Sequence, residues 1–257
     1  MDIIVCVKQI VDLRQLRIKR ETREPMLEGL PVVISDIDKN ALEAAVRLKE
    51  AGGGKVTVLS LSASSRLKET IKEALAMGAD EAVLLVDAAF ENTDPLFTAR
   101  ALAEAVRKIG KFDLLLLGEG SADNYTGQVG PRLAEMLGLP QATFAVGIKP
   151  TDGGLRVTRN LDEVVEVVDV PLPALVTVLT EVNQPRIPAL TQILRAGKKP
   201  IAEWKAADLG MSVPTRLTEV MSNLAPAQER KGEMFEGEGA VEKFAAALER
   251  EGLVKQR

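Results

Sequence analysis

The sequence predicts an α/β fold in which helices cover both faces of a doubly wound, mainly parallel sheet. Over the first two thirds of the chain, short apolar runs alternate with amphipathic stretches, which is typical of consecutive βαβ units. The first of these runs, within residues 2–7, is continuously apolar and rich in β-branched residues, as in strands buried on both faces. Glycines follow the amphipathic stretches, at positions where helices commonly end.

The first strand is expected at residues 2–7, and residues 11–33 are expected to form a charged loop or hairpin excursion. Helices are expected at 40–50, 66–77 and 94–109, and the strands between them at 56–61, 82–86 and 112–117. Glycines at 52–54 should stop the first helix. Asp94 is the expected N-cap of the third helix, with Pro95 as its first residue and Gly110 after its end.

The sequence pattern changes beyond residue 140, where short strands follow one another without intervening helices. Strands expected at 143–148, 155–159, 164–170 and 174–179 are joined by tight turns and should extend one edge of the sheet in antiparallel fashion. From about Arg195 the chain contains few apolar residues until a helix that is expected at 240–250. We therefore expect an α/β domain at 1–195 and a C-terminal arm at 196–257 that packs on the main domain or on a partner.

Composition excludes several chemistries. The chain has no histidine and one cysteine, so Ser-His-Asp triads, histidine metal sites, internal disulfides and protein-ligated iron–sulfur clusters are ruled out. We expect no catalytic residue and no metal site, and redox work would require a bound organic cofactor. The single cysteine and the absence of a basic leader at the N-terminus lead us to expect a cytoplasmic protein.

Charge and hydropathy exclude two classes of partner. The formal net charge of −4 and an aromatic content of 3% argue against nucleic-acid binding, which needs a basic footprint or stacking platforms. No apolar run approaches the roughly 20 residues that a membrane span requires. We therefore expect no nucleic-acid partner and no membrane span.

The segment after the fourth strand carries the clearest sign of a binding site. Gly118 follows that strand at its carboxyl end, where open α/β sheets bind ligands. Pro131 is tolerated only in the first turn of a helix, so the next helix should begin near residues 127–130, with free N–H groups facing the loop. Those groups would form an anion site, or else an ordinary capped connection. Side-chain donors would come from Ser121, Asn124, Thr126 and Gln128.

Two glycine clusters match phosphate-binding motifs poorly. Residues 52–55 precede their strand, and Val56 stands where a P-loop needs Ser or Thr, so this cluster is interpreted as a helix stop. Residues 118–123 begin like a dinucleotide fingerprint, but Asp123 replaces the third glycine. A carboxylate beside a phosphate repels it, so Asp123 is expected to orient backbone N–H groups or a hydroxyl.

Several segments resemble the β subunit of electron-transfer flavoproteins, in order from residue 2 to about 210. They are residues 7–12 (VKQIVD), 44–50 (AAVRLKE), 74–80 (ALAMGAD), 123–131 (DNYTGQVGP), 172–177 (LPALVT) and 183–186 (NQPR). The resemblance implies an adenine-nucleotide-binding, Rossmann-like domain. It also implies a heterodimer in which the larger α subunit carries its own FAD.

The resemblance further implies which residues contact the nucleotide. They belong to the first strand, the segment before the first helix, the second strand and the loop after the fourth. In this chain they are Cys6, Ser35, Asp36, Ile37, Asp38, Val58, Gly118, Glu119, Ser121, Ala122, Asp123, Asn124, Tyr125, Thr126, Gly127, Gln128 and Val129. Cys6 is also interpretable as an ordinary buried core thiol.

The family has two branches, and the resemblance is closer to one of them. In one branch the site holds AMP as a structural ligand. In the other it holds a second FAD that takes a hydride from NADH and divides the electron pair between high- and low-potential acceptors. Residues 128–131 (QVGP) resemble the second branch, so FAD is favoured over AMP. The electron acceptors implied are a partner dehydrogenase or quinone-reducing subunits.

Two residues are candidates for partner contacts. Leu190 matches a family leucine that anchors the partner dehydrogenase, and Glu166 matches a glutamate near the flavin of the α subunit, although an exposed strand carboxylate is the alternative. Arg195, Lys198 and Lys199 form a basic cluster that is either a solvated face or a docking site for an acidic redox partner.

Two other functions compete with electron transfer. One is a stand-alone nucleotide-binding regulatory module of similar fold. The other is an adenine-nucleotide-dependent ligase or hydrolase, for which Lys8 is the only candidate activating residue.

Overall fold

The computed structural model describes residues 1–211, 220–227 and 232–254. The strands are β1 (Ile3–Cys6), β2 (Gln9–Val11), β3 (Arg17–Ile18), β4 (Pro25–Met26), β5 (Val32–Ile34), β6 (Val56–Ser62), β7 (Glu81–Val86), β8 (Leu114–Gly118), β9 (Gln141–Thr151), β10 (Gly154–Leu161), β11 (Val164–Pro171), β12 (Ala174–Val178) and β13 (Ile201–Trp204). The helices are α1 (Asp36–Gly52), α2 (Leu67–Met77), α3 (Pro95–Ile109), α4 (Val129–Leu137), α5 (Leu190–Ala196) and α6 (Ala240–Arg250).

Within the described part of the chain, nine strands form the main sheet in the order β11-β10-β9-β12-β8-β1-β6-β7-β13. In this order, the strands from β9 to β13 pair in parallel, whereas β10 and β11 add an antiparallel edge. The predicted doubly wound, mainly parallel sheet with antiparallel edge strands is confirmed. One strand was misplaced, because β12 was expected at the antiparallel edge but lies between β8 and β9 and runs parallel to both. All five of its residues are buried, which suits a central position.

The two faces of the sheet carry different helices. Side chains alternate along β1, so that Ile3 and Val5 pack in the core under α1 and α2. Ile4 and Cys6 point the opposite way, into the core that α3 and α4 cover. Because helices cover both faces, the carboxyl ends of the central strands remain open as a ligand-binding edge.

Helix ends follow the predicted signals at most positions. The Asp94 carboxylate accepts from the Phe97 N–H at 2.8 Å, with Pro95 first in the helix, which confirms the predicted cap. The predicted start of α1 at residue 40 is wrong by four residues, because α1 begins at Asp36. The polar residues of its first turns are buried by contacts with distant segments, and a hydrophobic pattern does not reveal such burial.

The described residues form two compact units. The first comprises the described residues within 1–17 and 26–222, and so continues past residue 195 through β13, a strand that was not predicted. The second comprises the described residues within 18–25 and 223–254, and contains α6 where the sequence predicted a helix. Whether the chain after residue 195 contacts a partner stays a prediction. No described helix combines the length and apolar composition that a membrane crossing needs.

Candidate functional site

A cavity of about 480 Å³ opens at the carboxyl ends of β1, β6 and β8. One wall is the loop from Gly118 to the start of α4. The opposite wall comes from the end of β6 at residues 61–63 and the turn at residues 90–93, before α3. The position is the one at which doubly wound sheets bind ligands, and the volume lies within the roughly 300–1,000 Å³ of small-molecule pockets.

The N-terminus of α4 contributes to the cavity wall. The helix begins at Val129, as predicted, and Val129 and Gly130 both line the cavity. No side chain caps this end, and its first turn has no acidic residue, so its positive end is available to an anion. A Cβ on Gly130 would lie 2.5 Å from Cγ2 of Thr177, so a glycine is needed for α4 to approach β12 this closely.

The loop between β8 and α4 is held by hydrogen bonds within the loop and to Ser35. The Tyr125 N–H donates to the Ser121 carbonyl at 2.9 Å, and Tyr125 and Gly127 both have positive φ. The Ala122 N–H donates to the hydroxyl of buried Ser35 at 3.3 Å. Ser35 therefore acts on the loop through Ala122.

Asp38 joins three segments beneath the cavity. Its two carboxylate oxygens accept from the backbone N–H of Lys8 at 2.8 Å and of Gly118 at 3.0 Å. Burial raises the pKa of Asp38 to about 7, although both hydrogen bonds act in the opposite direction. A Cβ on Gly118 would lie 2.6 Å from an Asp38 oxygen, so the glycine is required for this contact.

Glu119 is a second buried carboxylate that lines the cavity. It accepts from the Thr177 hydroxyl and from the Phe144 N–H, the latter at 3.1 Å. Burial raises the pKa of Glu119, and these hydrogen bonds only partly offset that effect. Glu119 therefore fixes the end of β8 against β9 and β12.

Lys8 and Asp123 form an ion pair at the mouth of the cavity. The Lys8 Nζ lies 2.8 Å from both Asp123 oxygens and 3.2 Å from the Ser121 hydroxyl. Burial alone would raise the pKa of Asp123, but its hydrogen bonds with Lys8 and Ser121 hold it below the usual value. The sequence suggested a hydroxyl partner for Asp123, but it did not suggest the lysine.

The structure brings ten of the predicted nucleotide-binding residues to the cavity wall. They are Cys6, Asp38, Gly118, Glu119, Ser121, Asn124, Thr126, Gly127, Gln128 and Val129. The remaining seven do not line it: Ser35, Asp36, Ile37, Val58, Ala122, Asp123 and Tyr125. Val58 is fully buried in the core, whereas Asp36 and Tyr125 are exposed. Burial raises the pKa of the Cys6 thiol, which stays protonated.

The far wall of the cavity was not predicted. It includes Leu61, Ser62 and Ala63 at the end of β6, and residues 90–93 after β7. These segments have no phosphate-binding motif. The available signal was their position, because each follows a parallel strand at the same carboxyl edge as Gly118.

The candidate partner residues lie away from the cavity. Leu190 is 71% exposed and is the first residue of the short helix α5. Glu166 stands on the edge strand β11, and its carboxylate accepts from Arg159 at 2.8 Å. Lys199 does not belong to a solvated basic cluster, because its ammonium donates to the Leu75 and Ala79 carbonyls at the end of α2.

The fold and the cavity define a doubly wound α/β protein with an uncapped helix N-terminus in the cavity wall at the carboxyl edge of its sheet. Residues 27–209 match the family described as "Electron transfer flavoprotein domain". The electron transfer flavoprotein subunit beta of Thermoanaerobacterium thermosaccharolyticum is 39% identical over 243 residues, covering 92% of this chain and 93% of that protein. The chain therefore belongs to the electron transfer flavoprotein family.

Two further relatives are similar over nearly the whole chain. The caffeyl-CoA reductase-Etf complex subunit CarD of Acetobacterium woodii is 36% identical over 242 residues, or 92% of each chain. Protein FixA of Azorhizobium caulinodans is 36% identical over 280 residues, covering 97% of this chain and 99% of that protein. The resemblance read from the sequence is thus confirmed at the level of the family and its β subunit.

Proposed function

We propose that the chain is the β subunit of a heterodimeric electron-transfer flavoprotein and that its cavity holds FAD. The observation that carries this proposal is the cavity at the carboxyl edge, with the start of α4 in its wall. A pyrophosphate would lie against Val129 and Gly130, where free N–H groups and the helix dipole favour negative charge. Buried Cys6 fits a reducing compartment, and we place the complex in the cytoplasm.

The chain's own residues would bind and orient the ligand rather than carry out chemistry. Bound FAD would supply the redox chemistry, which we propose to be hydride uptake from NADH and electron transfer to high- and low-potential acceptors. Asp38 and Glu119 hold the loop backbone in place, and the apolar side chains of Leu61 and Phe90 give the far wall its shape. We assign no catalytic residue and no metal site.

Two observations favour FAD over AMP. Residues 128–131 (QVGP) resemble the FAD-binding branch. The cavity also continues from the α4 N-terminus to the turn at residues 90–93, which leaves space beyond the phosphate position. Family membership supports neither the regulatory module nor the ligase or hydrolase.

The identity of the nucleotide can be tested directly. The complex of the two subunits is purified, denatured, and its released nucleotides are separated by chromatography and counted per heterodimer. We expect two FAD and no AMP. One FAD together with one AMP would show that the chain belongs to the AMP-binding branch, and would remove the NADH and electron-bifurcation claims.

Exposed apolar side chains support the proposed contacts with an α subunit. On β11, Val164, Val165 and Val167 are each more than half exposed, and in the second unit Val241 and Phe244 of α6 are at least half exposed. Monomeric proteins rarely expose such concentrations of apolar surface. We propose that the α subunit covers them and that Glu166 lies near its flavin.

Leu190 is proposed to contact the redox partner, either a dehydrogenase or quinone-reducing subunits. Exposed Ile193 and Leu194 lie on the same short helix and extend the apolar surface. Replacing Leu190 with Ala should slow electron transfer to the partner about tenfold while bound flavin stays unchanged. Leu96→Ala, at a partly exposed leucine on α3, is the matched control. An unchanged transfer rate in Leu190→Ala would remove Leu190 from the interface.

A further inference from the structure

Lys8 holds an unusual position among the charged groups at the cavity. Three carboxylates line it, those of Asp38, Glu91 and Glu119, and among the described residues in its wall Lys8 is the cation. The Lys8 backbone is anchored because its N–H donates to Asp38. The base of the side chain is therefore fixed, while its ammonium can move on a flexible stem.

A nucleotide phosphate would meet an unfavourable charge balance without a cation. The α4 N-terminus supplies only about half of one elementary charge. A diphosphate brings more negative charge than that into a cavity that already contains carboxylates. A lysine ammonium within reach is the group that corrects this imbalance.

The ion pair that now holds Lys8 is a weak competitor for its ammonium. The Lys8 and Asp123 side chains are 41% and 28% exposed, and partly exposed ion pairs contribute little to stability. Asp123 is not part of the cavity wall, whereas Lys8 and Ser121 are.

We propose that Lys8 is a phosphate ligand of the bound adenine nucleotide, and that Asp123 holds its ammonium at the cavity mouth when no nucleotide is bound. The inference rests on the proposed function and deepens it, because it names the residue that recognises the phosphate. It holds for either FAD or AMP. Asp123 is thus the negative partner of Lys8, yet its carboxylate does not add to those in the cavity wall.

The test uses the heterodimer after removal of its nucleotide, with ADP and adenosine as probes in titration calorimetry. Lys8→Met should weaken ADP binding about 10- to 100-fold, the effect of one charge-assisted hydrogen bond, and leave adenosine binding unchanged. Lys8→Arg should restore most of the ADP affinity. Asp123→Asn should bind ADP as tightly as the wild type or more tightly, because it removes the competing acceptor.

A matched control separates this role from a general effect of losing a surface lysine. Lys68→Met breaks a similar exposed pair, with Glu203 at 2.8 Å, at a residue outside the cavity wall, and should not change ADP binding. If Lys8→Met weakens adenosine and ADP equally, or Asp123→Asn weakens ADP as Lys8→Met does, the pair only braces the loop and the proposal is wrong. Failure of the wild type to bind either probe would instead refute the proposed function.

Discussion

Replacing Asp38 with Asn should remove a pH-dependent loss of stability that the wild type shows between pH 4 and 7. Asp38 is 6% exposed beneath the cavity and is held by the N–H groups of Lys8 and Gly118. Burial raises its pKa from 3.8 to about 7. In the unfolded chain the carboxyl ionises near its usual pKa, so the folded protein binds more protons than the unfolded protein over this interval.

The sign and size of the effect follow from that difference in proton binding. The free energy of unfolding should fall by about 1.4 kcal/mol for each pH unit as the pH rises through the interval. The full loss, reached above pH 7, corresponds to about 4 kcal/mol. The introduced amide cannot ionise, so the Asp38→Asn variant lacks this slope. It also leaves one of the two N–H groups without an acceptor, which lowers stability by about 1–3 kcal/mol at every pH.

The assay is urea unfolding of the nucleotide-free protein from pH 5 to pH 8, followed by the fluorescence of Trp204, the single tryptophan. Trp204 lies in β13 beside β7 and so reports on the main sheet. The difference between wild type and Asp38→Asn cancels the contributions of other titrating groups. Parallel stability curves for the two proteins would refute the reasoning, because a constant offset requires no shifted carboxyl.

Two further predictions concern close packing and a buried ion pair. Gly130→Ala should lower the free energy of unfolding by about 1–3 kcal/mol and release nucleotide, because the new Cβ would lie 2.5 Å from Thr177. The control is Gly197→Ala, where the new Cβ has room, and it should have neither effect. Thermal melts and analysis of the bound ligand measure the two effects. Burial alone would raise the pKa of Glu43, but hydrogen bonds from Arg186 and Arg47 hold that pKa below its usual value. These hydrogen bonds therefore stabilise the folded protein near neutral pH, and their contribution is lost as the pH falls. Glu43→Gln should therefore cost about 1–3 kcal/mol at pH 7 and less in acid, because Arg186 keeps its pair with Glu50 and no buried charge is left without a partner. Equal losses at both pH values by urea unfolding would contradict this.

The parts of the fold that were predictable are those fixed by local sequence. The strands β1 and β8 are continuous apolar runs, β6 is mostly apolar, and the caps of α3 at Asp94 and Gly110 are local signals. Elements that depend on distant contacts were missed. β13 is only four residues long, and its strand character comes from pairing with β7, more than a hundred residues earlier in the chain.

The candidate site likewise has one part that local sequence predicts and another that depends on distant contacts. The β8–α4 loop was predictable because Gly118, Pro131 and the small polar residues between them are contiguous in sequence. The Lys8–Asp123 pair was not, because it joins residues separated by 115 positions. The expected contact at Val58 rested on the resemblance alone, and in the structure this side chain is fully buried in the core.

Helix α1 supports both of the surfaces to which we assign a function. At its start, Asp38 holds the strand ends beneath the cavity. One turn later, the Asn40 side chain donates to the Asn183 carbonyl at 2.7 Å, and Glu43 pairs with Arg186 at 2.7 Å. The segment fixed by these last contacts leads directly into α5, with its exposed leucines. A change in the first two turns of α1 should therefore disturb both nucleotide retention and partner reduction, whereas a change on α5 should affect partner reduction alone.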